Sequence, residues 1–353
     1  MKRIVLKIGS SSLVKGKGLN KINMRKLVEK ISVLHNNGVE VALVTSGAIS
    51  AGMSKLGLNK KPTDIAKKQA CAAIGQPSLM RSYEQFFEDF DVSCAQVLLT
   101  HDDFGSRKRS EHLKKTLEAL FSYGVVPVIN ENDAISDAEI RVGDNDTLSA
   151  MVSLIVGADE LILITDVDGL YSVNPNEDEN AEIIRVIEKI DDKILSLASG
   201  SSSAVGTGGM ITKLKAARIA TDAGINMRII GVNSVSRLEN ILNGEQEGSL
   251  FLANGKKRTI KSCWLAYCAL SEGKIVVDEG AKLALLSRKS LLSCGIIRIE
   301  GDFSDGSVVS LFDNGGFLIA KGTTYLSSKE LSKTIKNKEN RVVVHANNIA
   351  LVR

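Results

Sequence analysis

The stretch that decides the fold is Ile4-Val5-Leu6-Lys7-Ile8-Gly9-Ser10, an apolar run that carries one lysine and ends at a glycine. Its nearly continuous, partly β-branched apolar character predicts a strand that is covered on both faces. An unpaired ammonium inside such a sheet would be costly, so we expect Lys7 to face a cavity that holds negative charge. The alternative is a lysine on an edge strand, exposed to water.

The first 250 residues alternate apolar runs of this kind with longer amphipathic stretches. Such alternation is typical of α/β proteins, in which helices connect the strands of a mainly parallel sheet. The predicted strands are 4–8, 39–44, 95–99, 125–129, 160–164 and 226–230. The predicted helices are 24–36, 66–87, 110–123, 147–156 and 211–223. Because open parallel sheets bind ligands at the carboxyl ends of their strands, we expect the functional site at that edge.

The sequence also predicts a second, smaller domain. A chain of 353 residues is long for one typical core, and turn residues at 243–258 indicate a connection. Shorter runs at 274–277, 295–299, 307–311, 317–320 and 342–344 predict a compact, mostly β domain, a small and partly closed barrel. We therefore predict domains at 1–250 and 257–353. The part from Lys256 onward is basic, which raises the chance of nucleic-acid contact but more often marks a solvated surface.

Composition argues against several classes of protein. Apolar residues make up 44% and charged residues 24% of the chain, as in ordinary globular proteins. An apolar signal region and a membrane-spanning run are both missing from the sequence, so we expect a soluble cytoplasmic protein without a membrane partner. The five cysteines form no Cys-x-x-Cys pair and the four histidines have no metal-ligand spacing. We therefore expect neither a disulfide framework nor a metal site built from protein side chains.

Two more glycine-bearing segments resemble anion sites. The run 41–44 ends at Thr45-Ser46-Gly47-Ala48, where a helix is predicted to begin, and helix N-termini attract anions. A plain helix cap is the alternative interpretation of Ser46. The segment Gly206-Thr207-Gly208-Gly209 precedes a helix that carries Lys213, which places flexible amides and a second lysine together. A surface loop is the alternative there.

Carboxylate and amide side chains gather at the ends of other predicted strands. The stretches 127–133 and 142–147 hold more of them than turns require, which favours a polar ligand. In Thr165-Asp166-Val167-Asp168-Gly169, two carboxylates follow an apolar strand. They could hold a metal ion or a nucleotide hydroxyl, or form a plain Asp-Gly turn.

These motifs favour phosphoryl transfer without a general base. The sequence has no Gly-x-x-x-x-Gly-Lys-Ser/Thr segment, no histidine-led catalytic loop of protein kinases, and no Gly-x-Gly-x-x-Gly after the first strand. Two lysines and amide-rich turns suit a nucleophile that is already ionised at neutral pH. A carboxylate, with a pKa of about 4, meets that condition, and its phosphorylation requires mainly alignment and charge neutralisation.

The same segments resemble the amino acid kinase family, and more narrowly its members that phosphorylate glutamate. The resemblance covers essentially the whole chain and is most specific where Asn130-Glu131-Asn132-Asp133 is followed by Gly143-Asp144-Asn145-Asp146. It implies a three-layer αβα sandwich around a mainly parallel sheet. It also implies that ATP, with Mg2+, phosphorylates the γ-carboxylate of L-glutamate to L-glutamyl 5-phosphate, the first step of proline biosynthesis.

The resemblance also assigns roles to individual residues. Lys7 and Lys213 would neutralise charge on the transferring group, and Asp146 would orient both lysines. Mg2+ would be held mainly through the phosphates of ATP. Glutamate would be bound by Ser46, Gly47, Ala48, Asp133 and Asn145. The nucleotide would be bound by Lys7, Gly9, Thr165, Asp166, Thr207, Gly208, Gly209, Met210, Ile211, Thr212 and Lys213.

The C-terminal part resembles a β-rich PUA domain at 275–281, 290–292 and 301–303. Two segments depart from the family pattern, namely Glu111-His112-Leu113-Lys114 and His345-Ala346-Asn347-Asn348. The resemblance implies a homo-oligomer, either a dimer or a tetramer, proline as feedback inhibitor, and transfer of the product to a glutamyl phosphate reductase.

Two other functions remain open at this point. One is a kinase of the same fold that phosphorylates aspartate, N-acetylglutamate or a nucleoside monophosphate. The other is an RNA-binding protein that acts through its basic C-terminal domain. Large ring side chains are sparse after residue 250, so base stacking on RNA is not expected.

Overall fold

A computed structural model describes residues 2–16, 18–136, 145–173, 175, 178, 180–199, 209–253 and 258–352. The chain divides into two compact units. The first comprises Met1–Asp103 and Ser110–Lys257, and the second comprises Phe104–Arg109 and Arg258–Arg353. No helix in the described ranges is long and apolar enough to cross a bilayer.

The first unit alternates strands and helices along most of its length. The strands are β1 (Arg3–Ile8), β2 (Val14–Lys15), β3 (Gly18–Leu19), β4 (Glu40–Val44), β5 (Cys94–Leu99), β6 (Val126–Glu131), β7 (Glu160–Thr165), β8 (Val186–Ile187), β9 (Asn226–Gly231) and β10 (Ser249–Phe251). The helices from Ser10 to Leu242 are α1 (Ser10–Leu13), α2 (Lys21–Asn36), α3 (Ala48–Lys55), α4 (Ile65–Glu88), α5 (His101–Gly105), α6 (Arg107–Ser122), α7 (Asn145–Val156), α8 (Asp192–Ser199), α9 (Met210–Asp222) and α10 (Leu238–Leu242).

The predicted mainly parallel sheet is confirmed. Within the described ranges its strand order is β5-β6-β4-β1-β7-β9-β10-β8. Neighbouring strands from β5 to β9 run parallel, whereas β10 pairs antiparallel with β9. The six predicted strands correspond to β1, β4, β5, β6, β7 and β9, and the five predicted helices to α2, α4, α6, α7 and α9. Parallel pairing aligns the carboxyl ends of the central strands along one edge.

Alternation along β1 explains how a lysine enters a covered sheet. Ile4, Leu6 and Ile8 belong to the apolar cluster that contains α2 and α4. Side chains alternate across a strand, so Lys7 lies on the opposite face. There it contacts α7 through Asp146, and α7 is buried from Asp146 to its end. The sheet is therefore covered by helices on both faces, in three layers.

Strand β10 corrects one prediction. The segment 243–258, predicted as a connection, contains β10, which pairs with both β9 and β8. The strand is three residues long and is flanked by turn residues, so it lacks a detectable period of its own. Its partner strands determine its conformation.

The second unit is rich in β structure, as predicted. Its elements after Arg258 are α11 (Ile260–Cys263), β11 (Gly273–Val277), α12 (Glu279–Leu286), β12 (Leu291–Leu292), β13 (Ile296–Glu300), β14 (Val308–Phe312), β15 (Leu318–Thr323), α13 (Ser328–Lys336), β16 (Val342–Val344) and β17 (Ile349–Leu351). Its larger described sheet has the order β13-β11-β14-β15-β17, and β12 pairs with β16. The segment Phe104–Arg109 is grouped with this unit. The Trp264 indole donates a hydrogen bond of 2.7 Å to the carbonyl of Phe104.

Helices α3 and α4 pack backbone against backbone. A Cβ atom added to Gly75 would lie 1.8 Å from the carbonyl oxygen of Ala48, and one added to Gly52 would lie 1.8 Å from that of Cys71. Any larger side chain would force the helices apart. Because Ala48 is the first residue of α3, this contact also positions the N-terminus of that helix at the sheet edge.

Replacing Gly75 by alanine should lower the free energy of unfolding by about 2 kcal/mol, because overpacking outweighs the gain in helix propensity. Urea unfolding followed by circular dichroism measures the change. Gly280→Ala in α12 is a matched control, because its Cβ would meet its nearest atom, Asp278 Oδ1, at 3.4 Å. An unchanged urea midpoint for Gly75→Ala would contradict the proposed contact.

Candidate active site

Lys7 and Lys213 converge on one carboxylate. Lys7 Nζ lies 2.5 Å from Asp146 Oδ1, and Lys213 Nζ lies 3.2 Å from Asp146 Oδ2. The lysines are 6% and 7% exposed, and the aspartate 1%. The alternative of Lys7 on an edge strand in water is therefore wrong. The two ammonium groups share one cleft although 206 positions separate them in the sequence.

Three elements bring these charges together. Lys7 is the penultimate residue of the central strand β1, and Asp146 lies in the first turn of α7. Lys213 lies in the first turn of α9, where Thr212 Oγ1 donates to Asp146 Oδ2 at 3.1 Å. Gly209 is the N-cap of α9 and has no side chain to cap it. The N-termini of α7 and α9 therefore meet at the carboxyl end of β1.

The ionisation of Asp146 is controlled by its two cations. Burial raises the pKa of this carboxyl, but the charges of Lys7 and Lys213 outweigh that effect and hold the pKa below its usual range. The three ionised side chains together carry one net positive charge. A buried excess charge is unfavourable without a counterion. The cluster is therefore suited to an anionic ligand such as a phosphate group.

The turn after β4 presents a helix N-terminus to the same edge. Gly47 is the N-cap of α3 with φ of 105°, a left-handed conformation that favours glycine. Ser46 does not cap α3, so the plain-cap interpretation is wrong. Its hydroxyl instead accepts a hydrogen bond of 2.7 Å from Asn145 Nδ2.

Gly9 provides space at the site, whereas its amide is used within the sheet. Its amide donates to the carbonyl of Ile164 at 3.1 Å and so links β1 to β7. That amide is therefore engaged within the sheet. A Cβ atom at Gly9 would lie 3.6 Å from Lys7 Nζ, so the absence of a side chain leaves room beside the ammonium.

A set of hydrogen-bonded amide side chains supports the turn that carries Ser46. Asn145 Nδ2 also contacts the carbonyl oxygen of Thr45 at 2.7 Å and Asn130 Oδ1 at 3.2 Å. Asn130 is 1% exposed and donates from Nδ2 to Gln76 Oε1 at 2.9 Å. The buried Oδ1 of Asn145 has no hydrogen-bond partner among the described residues. The Nδ2 group of Asn145 is thus held by hydrogen bonds, whereas its Oδ1 can accept a hydrogen bond from a ligand.

A pocket of about 240 Å³ adjoins these amides. Its walls include Ala48, Gln76 and Asp133, and they come from α3, α4, β5 and the end of β6. The volume is below the roughly 300–1,000 Å³ of pockets that bind drug-sized molecules. The pocket therefore suits a small polar solute, and it contains carboxylate and amide groups on its walls.

The carboxyl ends of β7 and β9 form the other part of the edge. Thr165 is buried and its hydroxyl donates to Asp166 Oδ1 at 2.8 Å. A Cβ atom at Gly231 would lie 1.9 Å from Asp168 Oδ1, so a larger residue at the end of β9 would require that side chain to move. In the part of the chain that the structure describes, no group of three or more histidine, cysteine or acidic side chains could hold a metal ion.

The structure therefore places the predicted site residues along one sheet edge, in two parts. Lys7, Asp146 and Lys213 form the charged cluster, with Gly9, Gly209, Met210, Ile211 and Thr212 on the segments that carry the two lysines. Ala48 and Asp133 line the pocket, and Ser46 and Asn145 are hydrogen-bonded to each other. The predicted nucleotide residues Thr207 and Gly208 lie outside the described residues.

Sequence reasoning missed two residues of α4 that support this edge. Gln76 bonds to Asn130, and the fully buried Tyr83 hydroxyl lies 2.7 Å from Thr45 Oγ1. Both stand on the face of α4 that packs in the core, together with Ala72 and Leu79. A glutamine at a core position of an amphipathic helix is the signal that could have revealed Gln76.

Both parts of the chain match known protein families. The profile of the amino acid kinase family matches residues 2–231, and that of the PUA domain matches residues 273–345. A glutamate 5-kinase of Carboxydothermus hydrogenoformans is 45% identical, over 100% of this chain and 98% of its own length. A glutamate 5-kinase of Streptococcus suis is 41% identical, over 98% of both chains.

A solved structure shares the fold. The carbamate kinase from Giardia lamblia, bound to AMP-PNP, superimposes with a TM-score of 0.52 at 17% identity. The match covers 72% of this chain and 99% of that one. The chain belongs to the amino acid kinase family, among the glutamate 5-kinases, and carries a C-terminal PUA domain.

Proposed function

We propose that this chain transfers the γ-phosphoryl group of ATP to the γ-carboxylate of L-glutamate, giving L-glutamyl 5-phosphate and ADP. This reaction is the first step of proline biosynthesis. The observation that carries the proposal is the pair of buried ammonium groups on Asp146, at the sheet edge beside an amino-acid-sized pocket. Identities of 41–45% to glutamate 5-kinases over nearly the whole chain support the choice of acceptor.

The chemistry requires no base. The γ-carboxylate of glutamate is ionised at neutral pH, so one of its oxygens attacks the γ-phosphorus directly. A new O–P bond forms while the bond from the γ-phosphorus to the bridging oxygen breaks, and ADP leaves with that electron pair. Lys7 and Lys213 stabilise negative charge on the transferring group, and Asp146 holds both ammonium groups in place.

We propose that Mg2+ enters with the nucleotide. The Asp146 carboxylate is bound by two ammonium groups, and the described residues contain no other cluster of metal ligands. The donor set of this edge therefore fits a metal ion held mainly by the phosphates of ATP. When bound, Mg2+ would neutralise phosphate charge alongside the lysines.

The nucleotide is assigned to the edge formed by β1, β7 and α9. The uncapped N-terminus of α9 offers amide groups to phosphate, and Gly9 leaves room beside Lys7. Thr165 ends β7 and Asp166 follows it, and both would contact the nucleoside. Thr207 and Gly208 remain predictions from the sequence.

Glutamate is assigned to the pocket beside α3. Its ammonium would lie near the Asp133 carboxylate and Asn145 Oδ1. Its α-carboxylate would face the N-terminal amides of α3, which begin at Ala48 after Gly47. Ser46, which is held by Asn145, would lie between the pocket and the lysines.

Three further expectations rest on the family membership. We propose that proline inhibits by occupying the glutamate pocket, because it presents the same ammonium and carboxylate groups at a volume that the pocket accepts. We also propose a dimer or tetramer in solution and delivery of the labile acyl phosphate to a glutamyl phosphate reductase.

Incubation with glutamate, ATP, Mg2+ and hydroxylamine should produce γ-glutamyl hydroxamate, because hydroxylamine traps an acyl phosphate. The iron(III) colour of the hydroxamate measures it. Aspartate, N-acetylglutamate and a nucleoside monophosphate, assayed for ADP release under the same conditions, should turn over far more slowly. Absence of hydroxamate with glutamate would reject the proposed acceptor.

Replacing Lys213 by methionine should lower kcat about 100- to 1,000-fold while the KM for glutamate changes little, because this ammonium acts mainly on the transition state. Steady-state kinetics at saturating ATP measure both constants. Lys215→Met is a matched control, because Lys215 is exposed on the same helix. Equal kcat values for the two variants would remove Lys213 from the mechanism.

Replacing Asp146 by asparagine should lower the free energy of unfolding by about 3 kcal/mol at neutral pH, because two buried ammonium groups lose their countercharge. The pKa of Asp146 is lowered from 3.8 by folding, so the wild type keeps this stabilisation down to about pH 4. Below that pH the unfolded chain takes up a proton at this carboxylate while the folded chain keeps it ionised, so the wild type loses stability and the difference should shrink.

Urea unfolding between pH 3 and pH 7 measures this effect. Glu29→Gln, which removes one charge from an exposed position of α2, should show no such pH dependence. A difference between wild type and Asp146→Asn that stays constant down to pH 3 would contradict the assigned pKa direction.

A further inference from the structure

A chain of amide side chains runs from the sheet edge to the protein surface. Asn145 Nδ2 contacts Asn130 Oδ1 at 3.2 Å, and Asn130 Nδ2 donates to Gln76 Oε1 at 2.9 Å. Gln76 Nε2 then donates to Gln96 Oε1 at 3.1 Å. Asn130 and Gln76 are 1% and 9% exposed, whereas Gln96 is exposed on β5. Every donor in this chain points outward.

The direction of the chain is determined at its inner end. The backbone carbonyl of Thr45 can only accept, so Asn145 must present Nδ2 to it. Asn130 must then present Oδ1 to that same amide group. Its own Nδ2 consequently faces away and requires an acceptor within the buried interior. Gln76 Oε1 supplies that acceptor.

This direction leaves one acceptor of Asn145 unused. Its buried Oδ1 has no hydrogen-bond partner among the described residues, and such an atom is costly unless a ligand supplies a donor. At neutral pH both carboxylates of glutamate are acceptors, and the ammonium is its hydrogen-bond donor. The ammonium therefore matches the unused oxygen of Asn145.

We infer that Gln76 is a positioning residue for recognition of the substrate ammonium, an inference that rests on the proposed function. By accepting from Nδ2 of Asn130, Gln76 fixes the Asn130 amide so that its Oδ1 faces Nδ2 of Asn145. Without Gln76, the buried Nδ2 of Asn130 lacks an acceptor, so the Asn130 amide is no longer held in this orientation and its Oδ1 no longer supports Nδ2 of Asn145. The Asn145 amide then keeps only its contacts with Thr45 and Ser46, and its Oδ1 is aimed less firmly at the substrate ammonium.

The test is Gln76→Met, which retains a side chain of similar length but neither donates nor accepts strongly. We expect the KM for glutamate to rise about five- to tenfold. The kcat and the KM for ATP should stay within about twofold, because this contact serves ground state and transition state alike. Gln85→Met is the control, because Gln85 is exposed on the same helix, and all its constants should match the wild type.

A second variant provides a test at the surface. Gln96→Ala removes the outer partner of Gln76 at an exposed position that also lines the pocket, so it should fold normally and raise the KM for glutamate about twofold. If Gln76→Met proves insoluble, the KM for glutamate of Gln96→Ala is compared with that of Gln85→Met. A higher KM in Gln96→Ala supports the inference, and equal values contradict it.

Two outcomes would overturn the inference. One is an unchanged KM for glutamate in both Gln76→Met and Gln96→Ala, and the other is a parallel fall of kcat in Gln76→Met, which would indicate general damage. Failure of the proposed function is distinguishable, because the wild type and Gln85→Met would then form no hydroxamate from glutamate.

Discussion

The site depends on one ionic contact, in which Asp146 holds two ammonium groups that come from opposite ends of the first unit. Strand β1 supplies Lys7 from the centre of the sheet, and the first turns of α7 and α9 supply Asp146 and Lys213. The carboxylate permits two lysines to be buried together, and the three side chains carry one net positive charge, which suits a phosphate ligand. Stability and affinity for an anion therefore arise from the same three side chains.

Helix α4 supports the site without contacting the charged cluster. Gly75 allows α3 to approach so closely that Ala48 is set at the sheet edge, and Gln76 completes the hydrogen bonding of Asn130. Two turns later the Tyr83 hydroxyl contacts Thr45. Burial raises the pKa of Tyr83, so this hydroxyl remains protonated and can serve as a hydrogen-bond donor. The buried face of α4 therefore positions the turn after β4, the start of α3 and the amide of Asn130, which contacts Asn145.

Local sequence patterns were sufficient for much of the fold. The β-branched runs of the central strands and the amphipathic helices are long enough to show their hydrophobic periods. Each of these strands and helices begins and ends within three residues of its predicted bounds. Short elements such as β10 escaped prediction, because three residues carry no period and their pairing with a neighbour decides them. Ser46 was ambiguous for a similar reason, since a serine before a helix is equally consistent with capping the helix and with binding Asn145.

The sequence by itself determined the class of the fold and the residue types of the site. Apolar periodicity, glycine positions and a lysine within an apolar run are local features, and each has a local energetic reason. Only the tertiary structure decided which of these groups meet. Three features depend on long-range contacts: the ion pairs of Lys7 and Lys213 with Asp146, the hydrogen bond of the Gly9 amide to Ile164, and the outward direction of the amide chain from Asn145. Contacts of that kind depend on how parallel strands align their ends and how helices pack against them, and no local stretch of sequence encodes that geometry.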